Sequence, residues 1–146
     1  MPDIIHQFPV FAPASEVFDA VSTPEGLDAW WSLSSEGEPA KGNVYELFFG
    51  EGYDWKARVT ECVPEKLFEL EIYDAMPDWE NSRVRFELAP FESDKPATEV
   101  RFSHTGWPEG NDHYRISCFC WAMYLRLMKK WVEDGTMVAY AKRLDA

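Results

Sequence analysis

The stretch Asn111–Gly135, NDHYRISCFCWAMYLRLMKKWVEDG, decides the fold. Ile116, Phe119, Cys120, Met123, Leu127 and Trp131 recur at helical spacing, and Cys118, Trp121, Leu125, Met128 and Val132 form a second series beside them. Arg115, Arg126, Lys129 and Glu133 leave only a narrow polar ridge. A helix this apolar is expected to be covered on most sides. Asn111 or Asp112 can cap its start, and Gly135 can take the left-handed conformation just past its end. Lys129 and Lys130 fall in the last turns, where the helix dipole favours cations. At a rise of about 1.5 Å per residue the helix runs roughly 35 Å. Burying its ten or so large apolar groups would contribute about 15–30 kcal/mol before chain entropy is counted.

Upstream of it the chain alternates. Asp3 to Phe11 reads as a strand with Ile4, His6, Phe8 and Val10 on one face. Two short helices follow, the first opened by Pro13 with Ser15 as its cap, the second by the Thr23-Pro24 pair. A weak strand from Ser34 comes next, then Val44 to Gly50, a turn at Gly50-Glu51-Gly52, and Trp55 to Val63. Strands around Phe68, Leu70 and Ile72, around Val84, Phe86 and Leu88, and around Val100, Phe102 and His104 complete the set. Each shows one wet and one dry face, the pattern of an antiparallel sheet covered on one side. The class is α+β: a curved antiparallel sheet of about six to seven strands wrapped around the last helix. Residues 1–146 are expected to form a single domain. The tail after Gly135 is expected to pack as an arm on the body or on a second subunit.

Composition narrows the partners. The net charge is −12, from 14 basic and 26 acidic residues, which argues against nucleic acid and against anionic membrane surfaces. The start, MPDIIHQFPV, lacks the cationic segment and apolar run of a signal peptide, so a cytoplasmic protein is expected. Cys62, Cys118 and Cys120 lack metal-ligand spacing and read as reduced, buried thiols. Aromatic residues make up 16% of the chain, with seven Trp, more than a core of this size needs as filler.

The segments FPVFAPASEVFDAVSTPEGLDAWW, ARVTECVPEKLFELEI, TEVRFSHTGWP and CWAMYLRLMKKWVEDG, in that order, resemble the helix-grip fold of the START-related (SRPBCC, Bet v 1-like) superfamily. Within it the chain is most similar to the activator-of-Hsp90-ATPase homologue family. The resemblance implies a cavity between the sheet and the last helix, suited to lipid-like or aromatic molecules. It also implies two alternatives, a cyclase/dehydratase-type enzyme using the same cavity and a chaperone-associated module. The eukaryotic Hsp90 activators carry a further domain ahead of this one, for which these 146 residues have no room.

Trp30, Trp31, Phe48, Trp55, Tyr73, Phe102, His104, Trp107, Cys118, Trp121 and Leu125 are the candidate cavity wall. His104 shares the dry face of its strand, where it either meets a ligand's polar end or bonds a backbone carbonyl. His6 reads as structural, and His113 as solvated at the helix mouth. Glu46 is either an outward edge residue or a buried acid. No nucleophile elbow, phosphate loop, calcium loop or metal cluster is present in the sequence, so no catalytic residue, metal or cofactor is assigned. The reading is a cytosolic binding protein for a small hydrophobic or aromatic molecule rather than an enzyme. A homodimer and a chaperone contact are the further partners considered.

Overall fold

A computed structural model describes residues 2–145. The chain runs β1 (Ile4–Val10), α1 (Ala14–Ser22), α2 (Pro24–Trp30), β2 (Ser34–Glu36), β3 (Val44–Phe48), β4 (Asp54–Val63), β5 (Leu67–Asp74), β6 (Ser82–Pro90), β7 (Thr98–Thr105) and α3 (Asp112–Asp134). A 3-10 helix, Tyr140–Asp145, ends it. The seven strands form one antiparallel sheet in the order β1-β7-β6-β5-β4-β3-β2, with the first strand added beside the last. Helices α1, α2 and α3 all lie on the dry face of this sheet. This is the helix-grip arrangement.

Alternation sets the faces. Tyr45 and Leu47, Ala57 and Val59, Phe68, Leu70 and Ile72, Val84 and Phe86, and Val100 and Phe102 point inward and are buried. The outer face carries a lattice of opposite charges. Glu69 accepts from Arg83 and from Arg85, each at 3.0 Å, and from the Thr60 hydroxyl at 2.7 Å. Arg85 also reaches Glu87, and Arg101 reaches Glu99. The Glu69 pairs cross from β5 to β6, while the Arg85–Glu87 and Arg101–Glu99 pairs run along a single strand, and both kinds suit a sheet face left to water.

The ends of α3 follow the expected chemistry. The Asn111 side chain accepts from the Tyr114 N–H at 2.9 Å, and Gly135 adopts φ 76°. Thr23 caps α2 by accepting from the Gly26 N–H at 3.0 Å, with Pro24 in the first turn. Ser15 does not cap α1: the helix begins at Ala14 behind Pro13, and Ser15 already lies inside it. The fixed φ of Pro13 sets the start without a side-chain bond.

The expectation that α3 is covered on most sides is overturned. Ser117, Trp121, Leu125, Leu127 and Met128 are buried, but Ile116 is 60% and Phe119 is 69% exposed. A sheet is a wall on one side of a helix, and it takes one stripe. Of the neighbouring stripe only Leu127 is buried, with Cys120, Met123 and Trp131 half-buried.

That tail packs on the body. Arg143 is buried, and its guanidinium donates to the carbonyls of Asp28 at 2.6 Å, Ser32 at 3.1 Å and Val138 at 3.0 Å. The Tyr140 hydroxyl donates to the Phe49 carbonyl at 2.7 Å.

Candidate functional site

His104 lies where β7 meets the middle of α3. The Trp121 indole N–H donates to His104 Nδ1 at 3.0 Å. Ser82 Oγ lies 2.8 Å from His104 Nε2, and the Ser82 hydroxyl donates to the Trp79 carbonyl. Ser82 therefore accepts, and His104 Nε2 carries the proton. Both ring nitrogens are engaged by side chains, not by the backbone carbonyl considered from the sequence. Burial, with a smaller effect of His113, pushes the imidazole pKa down to about 3. His104 is a neutral, fully bonded strut. It has no lone pair left for a ligand and no proton acceptor for catalysis at neutral pH.

Indoles surround it. Trp30 stacks on Trp31 at 6.1 Å, Trp31 meets Trp121 at 5.2 Å, and Trp121 stacks on Trp79 at 5.9 Å. Trp79 then touches Trp55 at 4.9 Å, Trp107 at 6.1 Å and the His104 ring at 4.5 Å. Tertiary packing thus brings Trp30, Trp31, Trp55, Phe102, His104, Trp107, Trp121 and Leu125 into one cluster. These aromatic side chains pack together between the mid-sheet and α3. The indole N–H groups of Trp79 and Trp107 are buried without a protein acceptor.

Three of the candidate residues lie elsewhere. Phe48 shares the outer face with Glu46 and borders an open cleft with Ser34, Asp54 and Lys56. The inward aromatic is its neighbour Phe49, 5.1 Å from Trp31 and 4.8 Å from Trp55. Tyr73 also faces out, beneath the Arg58 guanidinium at 5.0 Å. Cys118 is half-buried on α3, and its carbonyl lies 3.4 Å from His6 Nε2. Glu46 takes the outward option.

Trp79 is the residue that sequence reasoning missed. It sits in a turn, where Met76 O accepts from the N–H of Trp79 at 2.8 Å and of Glu80 at 3.1 Å. That turn is tied to α3: His113 Nδ1–H donates to Asp78 at 2.9 Å and the Asn111 amide donates to it at 3.2 Å. His113 is therefore a tether, not a solvated side chain. The hydrogen bond from His113 is the main cause that lowers the Asp78 pKa, followed by that from Asn111.

A crevice of about 250 Å3 lies at the sheet edge between β1 and α3, lined by His6, Gln7, Phe8, Ala122, Leu125, Arg126 and Lys129. Of the candidate wall residues only Leu125 borders it. The His6 ring, part of the crevice lining, is stacked on Phe102 at 6.1 Å. Lys129 Nζ donates to Pro9 O at 2.6 Å and to Glu133 at 2.7 Å. Arg126 is exposed, and among the described residues no carboxylate pairs with it.

The family model described as activator of Hsp90 ATPase homolog 1-like protein matches residues 11–133, from the end of β1 to the last turn of α3. The chain belongs to that family. Its START-related fold is shared with the Aha1 dimer of Colwellia psychrerythraea, whose solution structure is 28% identical with a TM-score of 0.80, over 93% of this chain and 99% of that one. Protein MLL2253 of Mesorhizobium loti is 18% identical with a TM-score of 0.79, over 94% and 100% of the two chains. CalU16 of Micromonospora echinospora is 18% identical with a TM-score of 0.72, over 99% and 72%. The latter two likenesses concern the fold alone. No curated protein matches the sequence. Among the described residues no helix is long and apolar enough to cross a membrane.

Proposed function

We propose that this member of the Hsp90-activator-like family is a cytosolic protein that binds a small hydrophobic or aromatic molecule between its sheet and its last helix. The family fold supports a ligand-binding or cyclase-like role. The observation that carries the binding reading is the crevice between β1 and α3, with Phe8, Ala122 and Leu125 as apolar walls and Arg126 at its rim. Its volume, about 250 Å3, is below the usual range of drug-sized sites and suits a one-ring molecule. Apolar burial would supply affinity. The unpaired guanidinium of Arg126 would orient a carboxylate.

Binding fits better than chemistry. A cyclase or dehydratase of this fold requires two polar groups converging on one ligand position, and both nitrogens of His104 are already bonded within the core.

Thermal shift against aromatic acids, matched neutral aromatics and fatty acids tests the proposal. Aromatic monocarboxylates are expected to raise Tm, by about 2.7 kcal/mol of stability at a hundredfold excess over Kd. Arg126→Glu should abolish the preference for acids. No stabilisation by any of the three classes, with unchanged β1 and α3 amide NMR shifts, refutes it.

A second reading is a homodimer. It is favoured by the Colwellia psychrerythraea relative, which is a dimer in solution. A chaperone contact rests on the family's name alone, and a pull-down with Hsp90 is its test.

A further inference from the structure

The face of α3 turned away from the sheet carries its own pattern. Buried Ser117, Trp121, Leu125 and Met128 mark the inner seam. On the opposite side run Asp112, Ile116, Phe119, Met123, Arg126 and Lys130, spaced four, three, four, three and four residues apart. That is the alternating spacing of a coiled-coil seam. Five of the six are exposed and Met123 is half-buried. The middle of the seam is apolar, its N-terminal end anionic and its C-terminal end cationic.

From this face we infer that two copies of the chain pair through α3, with the two helices antiparallel across a two-fold axis near Phe119. The inference rests on the homodimer reading above and names its surface. Charge complementarity selects the second copy and the direction. In an antiparallel pair centred there, Ile116 faces the partner's Met123, Phe119 faces the partner's Phe119, and Asp112 faces the partner's Arg126. A parallel pair would set Asp112 against the partner's Asp112 and Arg126 against the partner's Arg126. Like charges held opposite each other disfavour that arrangement. The two-fold pair is isologous, so one patch completes itself.

The local ion pairs leave these charges available, and the pairing competes for the Arg126 guanidinium that the ligand reading gives to a carboxylate. Asp112 lies 3.9 Å from Arg115, both strongly exposed, a contact of little strength. Arg126 and Lys130 have no carboxylate partner among the described residues. The net charge of −12 works against association at low salt, so an apolar centre and matched ends are what a stable pair needs.

Sedimentation velocity of the full chain at micromolar concentrations tests this. The wild type is expected to be a dimer. Phe119→Glu, made at an exposed position, should leave the circular dichroism spectrum unchanged and weaken the dimer about a hundredfold or more, because both copies carry the change. Asp112→Arg and Arg126→Asp should each weaken the dimer, and the double variant should recover it. A monomeric wild type overturns both the pairing and its surface. A wild-type dimer that Phe119→Glu and the charge variants leave intact overturns the α3 surface alone and leaves the homodimer reading standing.

Discussion

Trp121 holds His104 neutral: its indole N–H is bonded to Nδ1 at 3.0 Å, the nitrogen that an added proton would occupy. This fixes a pH dependence. An unfolded histidine titrates near 6.5, and in the fold burial pushes His104 down to about 3. The folded value is the lower one, so the unfolded chain takes up the proton first. The contribution is whole above pH 6.5 and is lost progressively as pH falls towards 3, on the order of 5 kcal/mol in all. Urea midpoints measured from pH 7.5 downwards should decline from about 6.5. His104→Leu should be less stable at neutral pH, since it strands the Trp121 N–H, yet lose less between pH 6.5 and 5. An identical slope in the variant would remove His104 as the cause.

Glu69 adds a second acid-labile element at lower pH. Burial raises its pKa, but the hydrogen bonds from Thr60, Arg85 and Arg83 outweigh burial and leave it below the ordinary value of 4.5. A depressed carboxylate stabilises above its unfolded value, and the contribution fades as pH drops below 4.5. Arg83 is half-exposed, so solvent screening limits the effect. Glu69→Gln is expected to cost about 1–2 kcal/mol at pH 7 and progressively less as pH falls below 4.5. The difference between wild type and variant across that range reads it out. A constant difference would assign the cost to packing instead.

The sheet was legible because burying one face of a strand imposes a period of two, which charged outer residues such as Arg83, Arg85 and Glu87 made plain. The side on which α3 packs was not. Both of its stripes are apolar, and only contact with β7 shows that Trp121 is inside and Phe119 outside. Phe48 was misplaced by one position: adjacent phenylalanines at a strand end face opposite ways, and Phe49 is the inner one. Tyr73 falls at a bulge. Lys56 pairs with Asp74 and Ala57 with Ile72, which leaves Tyr73 unpaired, and alternation after inward Ile72 puts it on the outer face. Trp79 carried no signal at all, since a turn has no period. The small hollow at β1 was equally hidden, being a gap between elements rather than a property of either.

Arg143 secures the tail. Its guanidinium satisfies carbonyls at the end of α2 and in the tail itself, in a buried position. Arg143→Ala would leave the Asp28 and Ser32 carbonyls unpaired. A loss of about 2–4 kcal/mol is expected, with faster proteolysis after Gly135. Arg143→Lys keeps the charge but not the planar fork, and should recover less than half of that loss. Limited proteolysis with mass spectrometry distinguishes a released tail from global destabilisation. Unchanged cleavage would mean that Tyr140 and its bond to Phe49 hold the arm without the arginine.

Gly26 sets the corner between α1 and α2. A Cβ there would overlap the Asp19 carbonyl and the Ala20 backbone. The same Ala20 carbonyl accepts the Trp30 indole N–H at 2.9 Å, so separating the helices also breaks an anchor of the aromatic cluster. The overlap is with backbone, which has little freedom to yield. Gly26→Ala is expected to cost about 3 kcal/mol, with a weakened near-ultraviolet signal from the disturbed Trp30–Trp31 stack. Gly42 is the control. It has φ 90° but open space around its Cβ position, so Gly42→Ala should bear only backbone strain, about 1–2 kcal/mol, and leave the tryptophan signal intact. Equal losses and equal spectra in the two variants would mean that the close approach of α1 and α2 does not position Trp30.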